Sequence, residues 1–398
     1  MTGSLGAPGG FPRIPPVGRV VRAALTHKVP IYAHWGVTHR CDLTCRMCGI
    51  WRFGNRAEEL TLDQVDLLGG RLRRLGVIQV ALGGGEPFVR DDLEEVIRIL
   101  VGHRLNLRVL TNGVNVPRER FERCVALGVR SFSVSLDSLH PARFDYICQK
   151  EGAWEKVVHN MTIIADLLKG LRGMPTINCV VSHLNLEELP DLVRFAEAMG
   201  FAISFLPVEL LDDPRGNGHP WEDRFIRYEP EMRIPHDAQS ADRVADRVDR
   251  TYGTILEMKH KGAPVLNSSA YLRASRNYLK TGRFPSDGCD AGRLYFSVAP
   301  NGQFTICHRT PQQHRSILDP DFEEYFHSEA YERLRRQEVE SCEGCMRACW
   351  IDTSYMFRTL EGLTEVGRLS LARRTRTPLT WDQARAWARS DDPDVVPR

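Results

Sequence analysis

An α/β fold, with a parallel sheet curved into a partial barrel, follows from three observations on this sequence. Short β-type runs recur with helical patterns between them, start and stop signals bracket those helices, and polar signatures sit just after the strands. The runs are PIYAHWGVT (30–38), VIQVALGG (77–84), LRVLTNG (107–113), SFSVSLDS (131–138), TINCVVS (176–182) and AISFLPV (202–208). Six strand and helix units predict a parallel sheet, and the right-handed crossover rule favours its closing partway into a barrel. The first intervening helix opens at Thr61, where Thr61 and Gln64 fit a capping box, and stops at Gly76. DDLEEVIRIL (91–100) and NLEELPDLVRFAEAMG (185–200) carry similar signals.

Around this barrel, assigned to residues 29–210, the remaining segments read differently. Residues 1–28, Gly- and Pro-rich at their start, read as a flexible tail. Beyond Pro207 the rhythm fails. Residues 211–285 hold the polar loop DDPRGNGHPWED and then helical runs, and read as a connector and candidate lid. A small cysteine-rich domain is assigned to 286–350, and a C-terminal helix and tail to 351–398.

The formal net charge of the 398 residues is +2, which demands neither nucleic acid nor an anionic membrane as a partner. No run approaches the roughly 18 uninterrupted apolar residues of a spanning helix, and the N-terminus lacks the apolar centre of a signal peptide. A cytoplasmic location without a membrane span is expected. Of eleven cysteines, eight fall into two groups, Cys41, Cys45 and Cys48, and then Cys289, Cys307, Cys342, Cys345 and Cys349. Clustering in a cytosolic chain points to metal rather than to disulfides. Cys124, Cys148 and Cys179 stand alone.

Three thiolates at C-x3-C-x2-C, directly after the first strand, suit three corners of a cuboidal iron-sulfur cluster and leave the fourth iron open to an exogenous ligand. A zinc loop with a distant fourth ligand is the bland alternative. With this loop the chain resembles the radical S-adenosylmethionine (radical SAM) superfamily, whose hallmark is CxxxCxxC after the first strand of a partial (β/α)6, TIM-like barrel. GGGEP (83–87) resembles that family's Gly-Gly-Glu-Pro motif, which implies that Gly84, Gly85, Glu86 and Pro87 receive the cofactor's amino group. Glycine permits close backbone approach. TNG (111–113) and SLDS (135–138) resemble the family's third and fourth strand ends, which implies cofactor roles for Thr111, Asn112, Ser135 and Asp137. On the fifth strand alternation puts Asn178 and Ser182 on the interior face with Val180, as candidate cofactor contacts, and leaves Cys179 under the helices. Met47 stands where many members carry an aromatic residue, and it too can pack on an adenine.

The second group, C-x12-G-x4-C followed by C-x2-C-x3-C, begins in the alternating run RLYFSVAPNGQFTIC, whose Pro-Asn-Gly predicts a hairpin. It resembles the twitch or SPASM extensions of radical SAM enzymes, which implies one auxiliary [4Fe-4S] cluster on Cys289, Cys307, Cys342 and Cys345, with Cys349 as a substitute ligand. A structural zinc site fits the spacing as well.

The resemblance implies an enzyme with a [4Fe-4S] cluster, S-adenosylmethionine and an electron donor such as flavodoxin or ferredoxin. It would take hydrogen from a small-molecule, sugar or lipid-precursor substrate, as an oxidoreductase. Only forty residues precede Cys41, without the leader-binding domain that peptide-modifying members often carry, so a peptide maturase or epimerase is the second expectation. In an epimerase Cys148 is the candidate hydrogen donor. The molybdopterin branch is set aside, since its second cysteine set is not matched. A non-catalytic iron-sulfur or zinc protein would explain the cysteines but not GGGEP, TNG and SLDS at successive strand ends.

Overall fold

Six strands lie side by side in the order of the chain: β1 (Tyr32–Thr38), β2 (Gln79–Gly84), β3 (Asn106–Thr111), β4 (Ser131–Ser135), β5 (Thr176–Val181) and β6 (Ala202–Pro207). Every neighbouring pair is parallel, and the sheet does not close on β6, so the α/β fold is the expected partial barrel. The computed structural model describes residues 29–54, 58–208, 241–285, 288–307, 315–371 and 377–388, with Ala23, Leu25, Thr26 and Met232. Nearly all of the tail assigned to 1–28, the polar loop at 212–223 and the end of the chain lie outside the described residues. No described helix is long and apolar enough to cross a membrane.

The crossovers are α1 (Leu62–Leu75), α2 (Leu93–Gly102), α3 (Arg118–Ala126), the pair α4 (Pro141–Cys148) and α5 (Ala153–Leu167), and α6 (Leu189–Met199). Helix α1 starts as its sequence predicts. The Thr61 hydroxyl accepts from the Gln64 N–H, the Gln64 side chain accepts from the Thr61 N–H, and Gly76 ends the helix in the left-handed region. Alternation along the strands sorts side chains between helices and interior. Leu107, Val109, Phe132, Val134, Ile177 and Cys179 are buried in the core, where Phe121 meets Phe132 edge to face at 5.7 Å and Phe88 at 5.2 Å.

The sheet continues past β1. Strand β7 (Tyr295–Val298) pairs with β1 in parallel, and β8 (Phe304–Thr305) folds back on β7 as the expected hairpin. The hairpin is thus fused to the barrel sheet, in the order β6-β5-β4-β3-β2-β1-β7-β8.

The free edge of β6 is covered rather than left bare. After α7 (Ala241–His260) the chain runs beside β6, with Ile203 N–H donating to Pro264 O at 2.9 Å and Leu266 N–H to Ile203 O at 2.8 Å. Asn267, fully buried, accepts from Phe205 N–H at 2.7 Å and donates back to Phe205 O at 3.1 Å. Its amide also donates to Asp352 at 3.3 Å, and Ser268 N–H donates to Asp352 at 3.1 Å, just before α8 (Ser269–Thr281). Asp352 therefore ties the C-terminal segment to the barrel edge. Removing a buried acceptor strands its donors at about 1–3 kcal/mol each. Asp352→Ala is expected to destabilise the protein by about 2 kcal/mol, seen as a lower urea midpoint.

Candidate functional site

The first cysteine loop is held from three sides. On the first, Gly85 N–H donates to Thr38 O at 2.8 Å and Glu86 N–H donates to Arg40 O at 2.9 Å. A methyl group on Gly84 would stand 2.1 Å from Thr38 O, and one on Gly85 2.0 Å from Arg40 O. Gly84 also has φ +116°, which disfavours any side chain. The neighbour that these glycines admit is the cysteine loop itself.

On the second side stands the end of β3. Asn112 donates its side-chain amide to Asp42 at 2.8 Å and lies 4.0 Å from the Cys41 sulfur, while Asn115 donates to the other Asp42 oxygen at 2.9 Å. Glu86 joins the two strand ends, accepting from Thr111 Oγ1 at 2.9 Å, Asn112 N–H at 2.7 Å and Phe88 N–H at 3.1 Å. Its Oε2 accepts one of these bonds and keeps capacity for a further donor. Burial pushes the Glu86 carboxyl up to about 7, against the pull of those bonds.

The third side is the end of α4. Arg46 N–H donates to Ile147 O at 2.9 Å, Arg46 Nε donates to Tyr146 O at 3.1 Å, and the guanidinium sits 3.9 Å from the centre of the Tyr146 ring. These bonds place Cys148, 4% exposed, with its thiol against Cys45. The expected hydrogen donor thus stands in the wall of the cysteine loop.

Cys41, Cys45 and Cys48 are each half-buried on this loop, with Met47 half-buried between the last two. Burial raises the thiols of Cys41 and Cys48 to about 12 and about 11, so both keep their protons in neutral solution until a metal displaces them. Among the described residues no three Cys, His, Asp or Glu side chains are gathered as around a single ion. A cuboidal cluster, wider than one ion, suits a loop that spreads three thiols.

Further along the rim, Ser135, Asn178 and the unforeseen Ser204 stand in one register row on the interior face. Ser182 is fully buried, and its hydroxyl accepts from Leu184 N–H at 3.2 Å within its own turn. Pro87 is buried at the start of a short turn. Asp137, 3% exposed, accepts from Val180 N–H at 2.7 Å. Burial raises its carboxyl to about 7, with the Glu188 charge acting in the same direction.

In the second group, the Cys289 sulfur lies 3.0 Å from the Tyr295 hydroxyl, which meets Ser354 Oγ at 3.1 Å. Cys342 stands within electrostatic reach of Cys289, and Cys345 within reach of Tyr295 and Tyr271. The Tyr271 hydroxyl anchors this loop through Met346 O at 2.5 Å. Cys307 is half-buried just after β8, and the Cys349 side chain lies outside the described residues. Sequence reasoning also missed Arg347 in this loop, which acts electrostatically on Cys48 and His34. Nothing local to CMRAC signals that reach.

Comparison with known proteins agrees with this geometry. The model of the radical SAM superfamily matches residues 35–196. A protein named GTP 3′,8-cyclase 1, from Mycobacterium tuberculosis, is 30% identical over 241 residues, 55% of this chain and 65% of that protein. Molybdenum cofactor biosynthesis protein 1 of Mus musculus is 30% identical over 194 residues, 47% of this chain and 29% of that protein. This chain therefore spans less than two thirds of either relative. In fold, the chain is similar to Streptococcus suis SuiB bound to S-adenosylmethionine, with a TM-score of 0.58 at 14% identity over 83% of this chain and 76% of SuiB.

Two outcomes follow. Gly85→Ala is expected to push the cysteine loop off its clamp and to lower the iron and sulfide retained after reconstitution at least about twofold, a loss consistent with a backbone clash that needs main-chain movement. For Asp137, the folded protein keeps the proton to about pH 7, whereas the unfolded chain releases it near the ordinary 3.8. The contribution of Asp137 to stability thus falls as pH rises from about 4 to about 7 and is level above. Urea unfolding should show Asp137→Asn gaining on the native protein across that window.

Proposed function

Since residues 35–196 belong to the radical SAM superfamily, we propose that this protein cleaves S-adenosylmethionine reductively at a [4Fe-4S] cluster and takes hydrogen from a small-molecule substrate in the barrel. The observation that carries the reading is the three-thiol loop locked to the glycine turn of β2. When bound, the cluster and S-adenosylmethionine supply, on one-electron reduction, a 5′-deoxyadenosyl radical strong enough to remove an unactivated hydrogen.

In this reading the residues of the chain divide the remaining work. Cys41, Cys45 and Cys48 would hold the cluster through three thiolates, which would leave it one open position for S-adenosylmethionine. Glu86 Oε2 and the backbone at Gly84 and Gly85 receive the amino group. Met47 packs on the adenine. Ser135, Asn178 and Asp137 line the rim that orients cofactor and substrate, and the covered edge of β6 helps exclude water. Cys148 buttresses the loop beside Cys45.

Cys289, Cys307, Cys342 and Cys345, with Cys349 as substitute, would hold one auxiliary [4Fe-4S] cluster, and the chemistry it would supply there is one-electron transfer. A flavodoxin or ferredoxin supplies the reducing electron. The names of the sequence relatives shift the first candidate substrate from a sugar or lipid precursor to a purine nucleotide such as GTP.

The test is product analysis. Anaerobically reconstituted protein, reduced with dithionite in the presence of S-adenosylmethionine, is expected to release 5′-deoxyadenosine. Cys45→Ala is expected to lower the yield at least a hundredfold, about 2.7 kcal/mol in barrier. No 5′-deoxyadenosine from the native protein, with or without GTP, would contradict the reading.

A further inference from the structure

The second cysteine group carries a feature that a count of its sulfurs leaves unused: a phenol sealed in the core with its hydroxyl against one of them. Tyr295 opens β7 beside Tyr32 of β1 and is fully buried, with its oxygen 3.0 Å from Cys289 Sγ and 3.1 Å from Ser354 Oγ. A buried hydroxyl is costly unless it is partnered. For packing alone phenylalanine would fill this place in the sheet, so the hydroxyl answers to Cys289 and Ser354.

The surroundings fix both partners. Ser354, fully buried on the short helix Thr353–Arg358, accepts from Asp290 N–H at 3.0 Å, and the buried Asp290 carboxylate accepts from Arg358 Nε at 2.7 Å and Nη2 at 2.9 Å. Cys289 is thus held through the residue that follows it. A metal-bound thiolate carries no proton, so between Cys289 and Tyr295 only the phenol can then donate. With that one proton spent, Ser354 donates to the phenol oxygen, and its own oxygen accepts from Asp290 N–H as found. Each hydroxyl donates once, and the chain of bonds runs in a single direction toward the sulfur.

We propose that Tyr295 is a positioning residue of the auxiliary centre, donating to the Cys289 thiolate and thereby raising the reduction potential of the iron-sulfur cluster that this thiolate would hold. Hydrogen bonds to ligand sulfurs are one of the levers by which a protein sets such potentials. A donor at the sulfur draws charge from the cluster and favours its reduced form, and the Ser354 bond behind the phenol strengthens that donor. The inference rests on the reading of Cys289 as a ligand of an auxiliary [4Fe-4S] cluster, and on nothing about the substrate.

Potentiometric titration of the reconstituted protein, followed by electron paramagnetic resonance, tests it, with the cluster whose signal S-adenosylmethionine changes as the internal control. Tyr295→Phe, at matched iron content, is expected to lower the auxiliary midpoint by at least about 59 mV, an about tenfold change in a one-electron equilibrium, and to leave the control midpoint in place. Ser354→Ala, which keeps the phenol, should give a smaller shift in the same direction. If Tyr295→Phe does not retain its second cluster, the Ser354→Ala midpoint decides alone. An auxiliary midpoint equal to the native one, a shift shared by both clusters, or zinc in place of the second cluster in the native protein would overturn the inference. If 5′-deoxyadenosine still forms in that event, the radical SAM reading stands without it. If the auxiliary midpoint moves as expected but no 5′-deoxyadenosine forms, the role of Tyr295 stands and the catalytic reading fails.

Discussion

The structure depends on two backbone bonds, from the N–H groups of Gly85 and Glu86 to the carbonyls of Thr38 and Arg40. They bring the end of β2 so close to the end of β1 that no Cβ fits at Gly84 or Gly85. That approach decides where the cysteine loop leaves the sheet, and hence where its three thiols stand. Glu86 extends the constraint sideways to Thr111 and Asn112, and Asn112 carries it back to Asp42 and Cys41. The loop, two strand ends and the end of α4 thus form one hydrogen-bonded ring around the candidate centre.

Glu86, Asp137 and Asp352 are each buried to 3% exposure or less, and in each burial raises the proton affinity to about 7. Each accepts hydrogen bonds from backbone groups of a neighbouring element. They occupy joints, between β2 and β3, between β4 and β5, and between the barrel edge and the C-terminal segment. A joint built on a buried carboxyl is strong while its donors are aligned and costly once one partner is removed.

Much of this was legible in the sequence. The six strands could be read because parallel strands covered by helices need apolar alternation, and the capping pair Thr61 and Gln64 formed both of its bonds. The hairpin could be read from Pro-Asn-Gly, but not its docking on β1, since alternation says which face a strand buries and not which edge it joins. GGGEP announced a close backbone approach without naming the neighbour, which proved to be the cysteine loop. Cys148 looked free at the rim because spacing gives no direction to a side chain, and the turn of α4 aims it at Cys45. Arg347 was illegible for a simpler reason: its partners His34 and Cys48 are some three hundred residues away in the sequence, and only the folded C-terminal segment brings it to them.

The central claim is that three thiols hold a cluster whose fourth iron is open to S-adenosylmethionine. Electron paramagnetic resonance of the dithionite-reduced protein, recorded before and after adding S-adenosylmethionine and normalised to iron, tests it most directly. The account predicts about eight irons per chain from two four-iron clusters, and a signal from one of them that changes when S-adenosylmethionine is added. A cluster signal that S-adenosylmethionine leaves unaltered would contradict it.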